Sequence, residues 1–171
     1  MNQALCIGNS DGIGLAMTRR LLAEGWTVVG ISRSKSDIDH AHYSHRIGDV
    51  SDKAYPELLN EVVSDYSPDL CLYAAGIGDL LDLTNMEPEV NTIDVNFTGM
   101  VRTAAGIIPQ MVEKSRGHFI GISSFADELP SPEAPAYFAS KAGVSNYVKG
   151  LGLALKEKGV FVTNVRFGFV D

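Results

Sequence analysis

The stretch that most narrows the folds open to this chain is its first two dozen residues. An apolar run, Gln3–Gly8, passes through the turn Gly8-Asn-Ser-Asp-Gly12-Ile-Gly14 straight into a helical pattern. Leu15, Ala16, Leu21, Leu22 and Ala23 predict a packed helix from Ile13 to Glu24, with Gly25 as its C-terminal breaker. Glycines between a strand and a helix remove Cβ atoms where the chain turns tightly or a phosphate approaches. The helix N-terminus adds free amide donors and positive potential. The spacing is Gly-x-x-x-Gly-x-Gly rather than the usual Gly-x-Gly-x-x-Gly. A Gly-rich turn alone is often only a tight connection; in this context it favours a dinucleotide, held by Gly8, Ser10, Asp11, Gly12, Ile13 and Gly14.

The remainder alternates strand and helix. Thr27–Ser32 is a β-branched run of the buried parallel type. A polar connection leads to a weak strand near Tyr43–Ile47. A turn at Asp49–Asp52 then enters a helix over Ala54–Tyr66, with Ser51 or Asp52 as its N-cap. Leu70–Ala75 reads as the next strand, ending at Gly76. Glu89–Glu113 reads as one long helix, with Pro109 expected to kink it or shift its last turn. His118–Ser123 is a strand, Pro135–Lys158 a helix and Val160–Phe167 a final strand. This order implies an α/β fold: a doubly wound parallel sheet in three αβα layers, the Rossmann type. At 171 residues, without repeat or linker, one dinucleotide-binding domain over 1–171 is expected.

Ligands of such sheets bind outside the carboxyl ends of the strands. Ser124 closes an apolar strand there, and Tyr137 and Lys141 lie four apart on the helix that follows, on one face. A phenol exchanges protons near neutral pH only if its pKa of about 10 is lowered. A nearby ammonium does this by favouring the phenolate. Ser124 is placed to hydrogen-bond an oxygen on which charge develops. The plainer alternative is a half-buried helix, with Lys141 in water and Tyr137 packed on the sheet.

NAD sites usually carry an acidic residue at the end of the second strand. Ser32 stands there instead, followed by Arg33, which suits a 2′-phosphate through charge-assisted hydrogen bonds. Asp11 pulls the other way. NADP(H) is favoured, with NAD(H) open. A net charge of −7 argues against nucleic acid or an anionic membrane as the main partner. No run reaches the ~18 apolar residues of a membrane span, and no cleavable leader pattern opens the chain, so the cytoplasm is the default location. Cys6 and Cys71 read as buried free thiols. His40, His42 and His45 read as solvated side chains rather than metal ligands.

Taken together, these residues resemble the short-chain dehydrogenase/reductase family over the whole chain. The glycine spacing is similar to its shorter, reductase-type branch rather than to the extended branch of epimerases. Asp49-Val50 resembles the family's pair that touches adenine, and Tyr73-Ala74-Ala75-Gly76 its Asn-Asn-Ala-Gly stretch. Asp94-Val-Asn96 resembles its helical Val-Asn, and Ser124, Tyr137 and Lys141 its catalytic triad. Ser124 precedes Tyr137 by thirteen residues and follows Asn96 by twenty-eight, as in the family.

The resemblance implies that Tyr137 exchanges a proton with a carbonyl or alcohol substrate while hydride passes to or from the nicotinamide. Lys141 would hold the nicotinamide ribose, Ser124 the carbonyl and Asn96 a water-linked relay. Gly168 matches the family's Pro-Gly, and Val170 a residue whose backbone meets the nicotinamide amide. A homodimer or homotetramer through the long helices is expected.

Departures are Ile7 before the first Gly, Ala74 for the second Asn, Asp127 where a Gly is common, and a chain lacking the family's lid and last strand. That short end keeps a second expectation open, an NADP(H)-binding sensor or scaffold without turnover.

Overall fold

The computed structural model describes residues 2–168. Its strands are β1 (Gln3–Ile7), β2 (Thr27–Ser32), β3 (Tyr43–Ile47), β4 (Leu70–Tyr73), β5 (Gly117–Ser124) and β6 (Val160–Phe167). They form one parallel sheet in the order β3-β2-β1-β4-β5-β6. The helices between them are α1 (Gly12–Ala23), α2 (Tyr55–Tyr66), α3 (Glu87–Ile93), α4 (Gly99–Glu113) and α5 (Pro135–Leu155). This is the doubly wound architecture that the alternation predicts.

Period-two alternation sorts β1 between two cores. Leu5 and Ile7 face α2, α4 and α5, packing with Leu59, Met100, Ile107 and Val144. Ala4 and Cys6 face α1, with Leu21 and Leu22. Each fully buried aliphatic side chain contributes about 1.5–3 kcal/mol, so the central strands are the most firmly fixed part of the molecule. Among the described residues no helix is long and apolar enough to cross a membrane.

The chain reverses direction across the sheet between β1 and β4. Ile7 pairs with Ile31 on one side and with Tyr73 on the other, so both carboxyl ends open at one level. Gly8 follows at φ +77°, and a Cβ there would collide with the Ala75 backbone. That close approach shapes the crevice at the switch point.

Several boundaries differ from the sequence reading. Leu70–Ala75 is strand only to Tyr73, because after the Ala74 N–H donates to Ile7 O (2.9 Å) the chain leaves the sheet over Gly8. The helix α2 starts at Tyr55, and neither Ser51 nor Asp52 caps it. Pro56 sets the start within the first turn, while Asp52 closes its own turn on the Ala54 N–H (2.8 Å). The helix expected over Glu89–Glu113 begins at Glu87 and is broken by a π-turn at Asp94–Thr98; α4 then runs through Pro109 to Glu113. The last helix stops at Leu155 rather than Lys158.

Candidate active site

Two adjoining cavities lie over the carboxyl ends of the strands. The smaller, about 150 Å³, is lined by Gly8, Ser10, Asp11, Ser32, Arg33, Asp49, Val50 and Ala75. The larger, about 510 Å³, is lined by Ile13, Ser124, Tyr137, Lys141 and Gly168, with Ile122, Leu80 and Phe167. Ala74, Gly76 and Ile77 line both, so the two form one crevice. Gly12 and Gly14 lie in the first turn of α1 and line neither cavity. Val170 lies outside the described residues.

Close backbone contacts shape the glycine turn beside the small cavity. A Cβ on Gly14 would strike the Gly8 carbonyl, so the turn can close on itself only with glycine there. Asp11, at the N-cap of α1, makes no side-chain cap bond, which leaves first-turn amides for an anion. Those features fit the pyrophosphate of a dinucleotide. Arg33 is exposed at the rim. The Asp49 carboxyl is pushed up by burial, but the Ser51 hydroxyl (2.6 Å), the Ser51 N–H (2.9 Å) and the Arg33 guanidinium outweigh this and hold it below its usual range. It is therefore an ionised acceptor at neutral pH.

Side chains build the large cavity. Ser124 ends β5 in extended backbone, and its Oγ accepts the Ala126 N–H (3.2 Å), using a lone pair and sparing the hydroxyl proton. Tyr137 and Lys141 share one face of α5, with the Lys141 Nζ 5.6 Å from the phenol ring centre. Lys141 is 6% exposed; its ammonium donates to the Ile122 carbonyl (3.2 Å), and burial pulls its pKa down to about 8. The reading of Lys141 as a solvated surface residue therefore fails.

Asn96 stands behind the cavity in the π-turn, 1% exposed. Its Oδ1 accepts the Ile77 N–H (2.8 Å), and its Nδ2 donates to the Ile77 carbonyl (2.8 Å) and Ser140 Oγ (2.9 Å). Both amide protons are thus engaged within the protein. The grip on Ile77 fixes the strip 76–78, which passes Lys141 at Gly76 and the Tyr137 ring at Gly78. Neither Ile77 nor the π-turn had a signal in the sequence, since both arise from tertiary contact.

A family model described as short chain dehydrogenase matches residues 2–171. The chain belongs to the short-chain dehydrogenases/reductases. An uncharacterized oxidoreductase of Staphylococcus saprophyticus is 30% identical over 186 residues, covering 98% of this chain and 78% of the relative. Serine dehydrogenase of Escherichia coli superposes with a TM-score of 0.88 at 27% identity, over 98% of this chain and 83% of that one. A closed form of serine dehydrogenase complexed with NADP+ superposes with a TM-score of 0.91 at 27% identity, over 99% and 73%. The protein is accordingly an oxidoreductase with a nucleotide-binding fold.

Outside the crevice, Cys6 and Cys71 are free and buried, and burial pushes the Cys6 thiol up to about 11, far from thiolate. His45 is not simply solvated: its ring meets the Tyr43 hydroxyl (2.7 Å) and Ser32 Oγ (3.4 Å).

Proposed function

We propose that this short-chain dehydrogenase/reductase moves a hydride between NADP(H) and a small carbonyl or alcohol, with Tyr137 as the general acid/base. The observation that carries the reading is convergence. Ser124, Tyr137 and Lys141 line one cavity, and that cavity shares Ala74, Gly76 and Ile77 with the glycine-lined crevice. When bound, the nicotinamide supplies or takes up the hydride.

The chain's own residues do the rest. Ser124 donates its free proton to the substrate oxygen and orients it toward Tyr137. Tyr137 passes a proton to that oxygen in reduction and removes it in oxidation. Lys141, buried and cationic below about pH 8, favours negative charge beside the phenol and offers donors to a ribose. Asn96 acts from behind by holding the strip 76–78. Ile77, Ile122 and Phe167 give the cavity beside the reacting oxygen an apolar lining.

NADP(H) is favoured over NAD(H) because the second strand ends in Ser32-Arg33 without a carboxylate. Asp11 and Arg33 line the same small cavity. The serine dehydrogenase complexed with NADP+ supports the same choice.

The test is NADPH oxidation over a panel of aldehydes, ketones and quinones with wild type and Tyr137→Phe. Loss of a general acid typically costs about 10²–10⁴-fold, so turnover should fall by that factor while NADPH affinity stays within about twofold. Turnover that survives the change sinks the assignment of Tyr137.

A further inference from the structure

The residue after Ser124 begins a single 3-10 turn, Phe125–Asp127, and the carboxyl of Asp127 folds inward rather than out to solvent; its side chain is 3% exposed. Arg166 of β6 donates to its Oδ1 at 2.5 Å. The Ser145 hydroxyl of α5 donates to its Oδ2, and Ser145 in turn accepts from Asn164 Nδ2 of β6 at 2.9 Å. One carboxylate therefore joins the turn after β5, the buried face of α5 and the end of β6. Arg166 also covers the Phe125 ring, its guanidinium carbon 5.3 Å from the ring centre.

The residues next to this junction line the substrate half of the crevice. Ser123 and Ser124 end β5 there beside Phe167 and Gly168 at the end of the neighbouring strand, Ser124 pairing with Phe167 in the ladder. Gly168 already approaches the Phe125 ring, so that a Cβ there would lie 3.5 Å from it.

We propose that Asp127 is a positioning residue that, through Arg166 and Ser145, clamps the turn after Ser124 onto β6 and α5, and so fixes where the Ser124 hydroxyl, bonded to the Ala126 N–H of that turn, stands in the cavity. Its consequence for turnover rests on the reductase reading; the clamp itself does not. Burial pushes the Asp127 carboxyl up, but the Ser145 hydroxyl, the Arg166 guanidinium and the Ser123 hydroxyl outweigh it and hold the group below its ordinary range. The anion that the clamp needs is thus present at neutral pH. The outer bond from Arg166 to Glu128 (2.7 Å) is of a different kind. Glu128 is 68% exposed, and such pairs contribute little.

A bridge that only stabilised the fold would lower the thermal midpoint and leave local geometry and kinetics alone. Hydrogen–deuterium exchange separates the two. In Asp127→Asn and Asp127→Gly, amides of residues 124–127 and 165–168 should exchange faster together by about tenfold, with the turn 8–14 unchanged.

With a reducible carbonyl, kcat should fall by about tenfold or more while the NADPH Kd, read by fluorescence titration, stays within about twofold. Because both residues act as one unit, Asp127→Asn with Arg166→Gln should be no worse than either alone. Unchanged exchange, loosening of only one of the two segments, or additive kinetic losses would overturn the clamp. Should Asp127→Gly fail to fold, the shape-preserving Asp127→Asn and Arg166→Gln decide. Should wild type reduce no carbonyl, the reductase reading fails, and exchange alone still decides the clamp.

Discussion

The two halves of the crevice are made in different ways. At β1–α1 the site is an absence of side chains: Gly8 passes the Ala75 backbone and Gly14 the Gly8 carbonyl. Over β5–α5 it is a convergence of side chains, each held by buried polar bonds: Lys141 on Ile122, Asn96 on Ile77, Asp127 on Arg166 and Ser145. At Gly8 and Gly14 the first half tolerates no added atom. The second depends on groups whose charge is expensive to bury, and its function comes from that expense.

The largest effect should come from adding atoms to the backbone-built half. In Gly8→Val the new side chain meets main-chain atoms that cannot give way, at a φ of +77° that a β-branched residue rarely adopts. Coenzyme binding should drop more than about 100-fold, or the protein should fail to accumulate folded. Isothermal titration with NADPH checks this, and retained binding would break the contrast.

A smaller effect is expected at the rim. Arg33→Ala removes the cation beside Ser32 and should weaken NADPH by about tenfold, with NADH little changed. Equal losses for both coenzymes, measured by fluorescence titration, would overturn the preference for NADP(H).

The side-chain half should behave in the opposite sense toward stability. The Lys141 pKa lies near 8 in the folded protein and about 10.5 when unfolded. Between those values the unfolded chain binds more protons, so wild-type stability should rise with pH across that window. Below pH 8 the ammonium is buried at a cost on the order of 3 kcal/mol. Lys141→Met should therefore raise the thermal midpoint by several degrees at pH 7 while abolishing turnover, and the gain should shrink toward pH 10.5. A lower midpoint would show that the ammonium stabilises the empty site.

The same contrast explains what the sequence could reveal. Glycine spacing next to a strand reads directly, because steric exclusion at Gly8 and Gly14 is local. The order of β-branched and helical runs likewise gave the sheet, and Tyr137 and Lys141 followed from helical periodicity. Local signals misled where tertiary packing won. Ser51 and Asp52 looked like caps but close a turn ahead of Pro56, and the helix expected from Glu89 through Glu113 hides a π-turn at Asp94–Thr98. Asp127 stood out only as a departure from glycine. Its partners lie 18 and 39 residues away, beyond any periodicity.

Hydride transfer as proposed requires the phenol of Tyr137 and the ammonium of Lys141 to face a nicotinamide held by the first turn. A crystal structure grown with NADPH tests it most directly. In it the pyrophosphate should lie at Gly8–Gly14, the nicotinamide ribose within hydrogen-bond reach of Lys141 Nζ, and the Tyr137 hydroxyl facing the nicotinamide ring across the larger cavity. A coenzyme bound elsewhere, or a Tyr137 hydroxyl turned away from the ring, would contradict it.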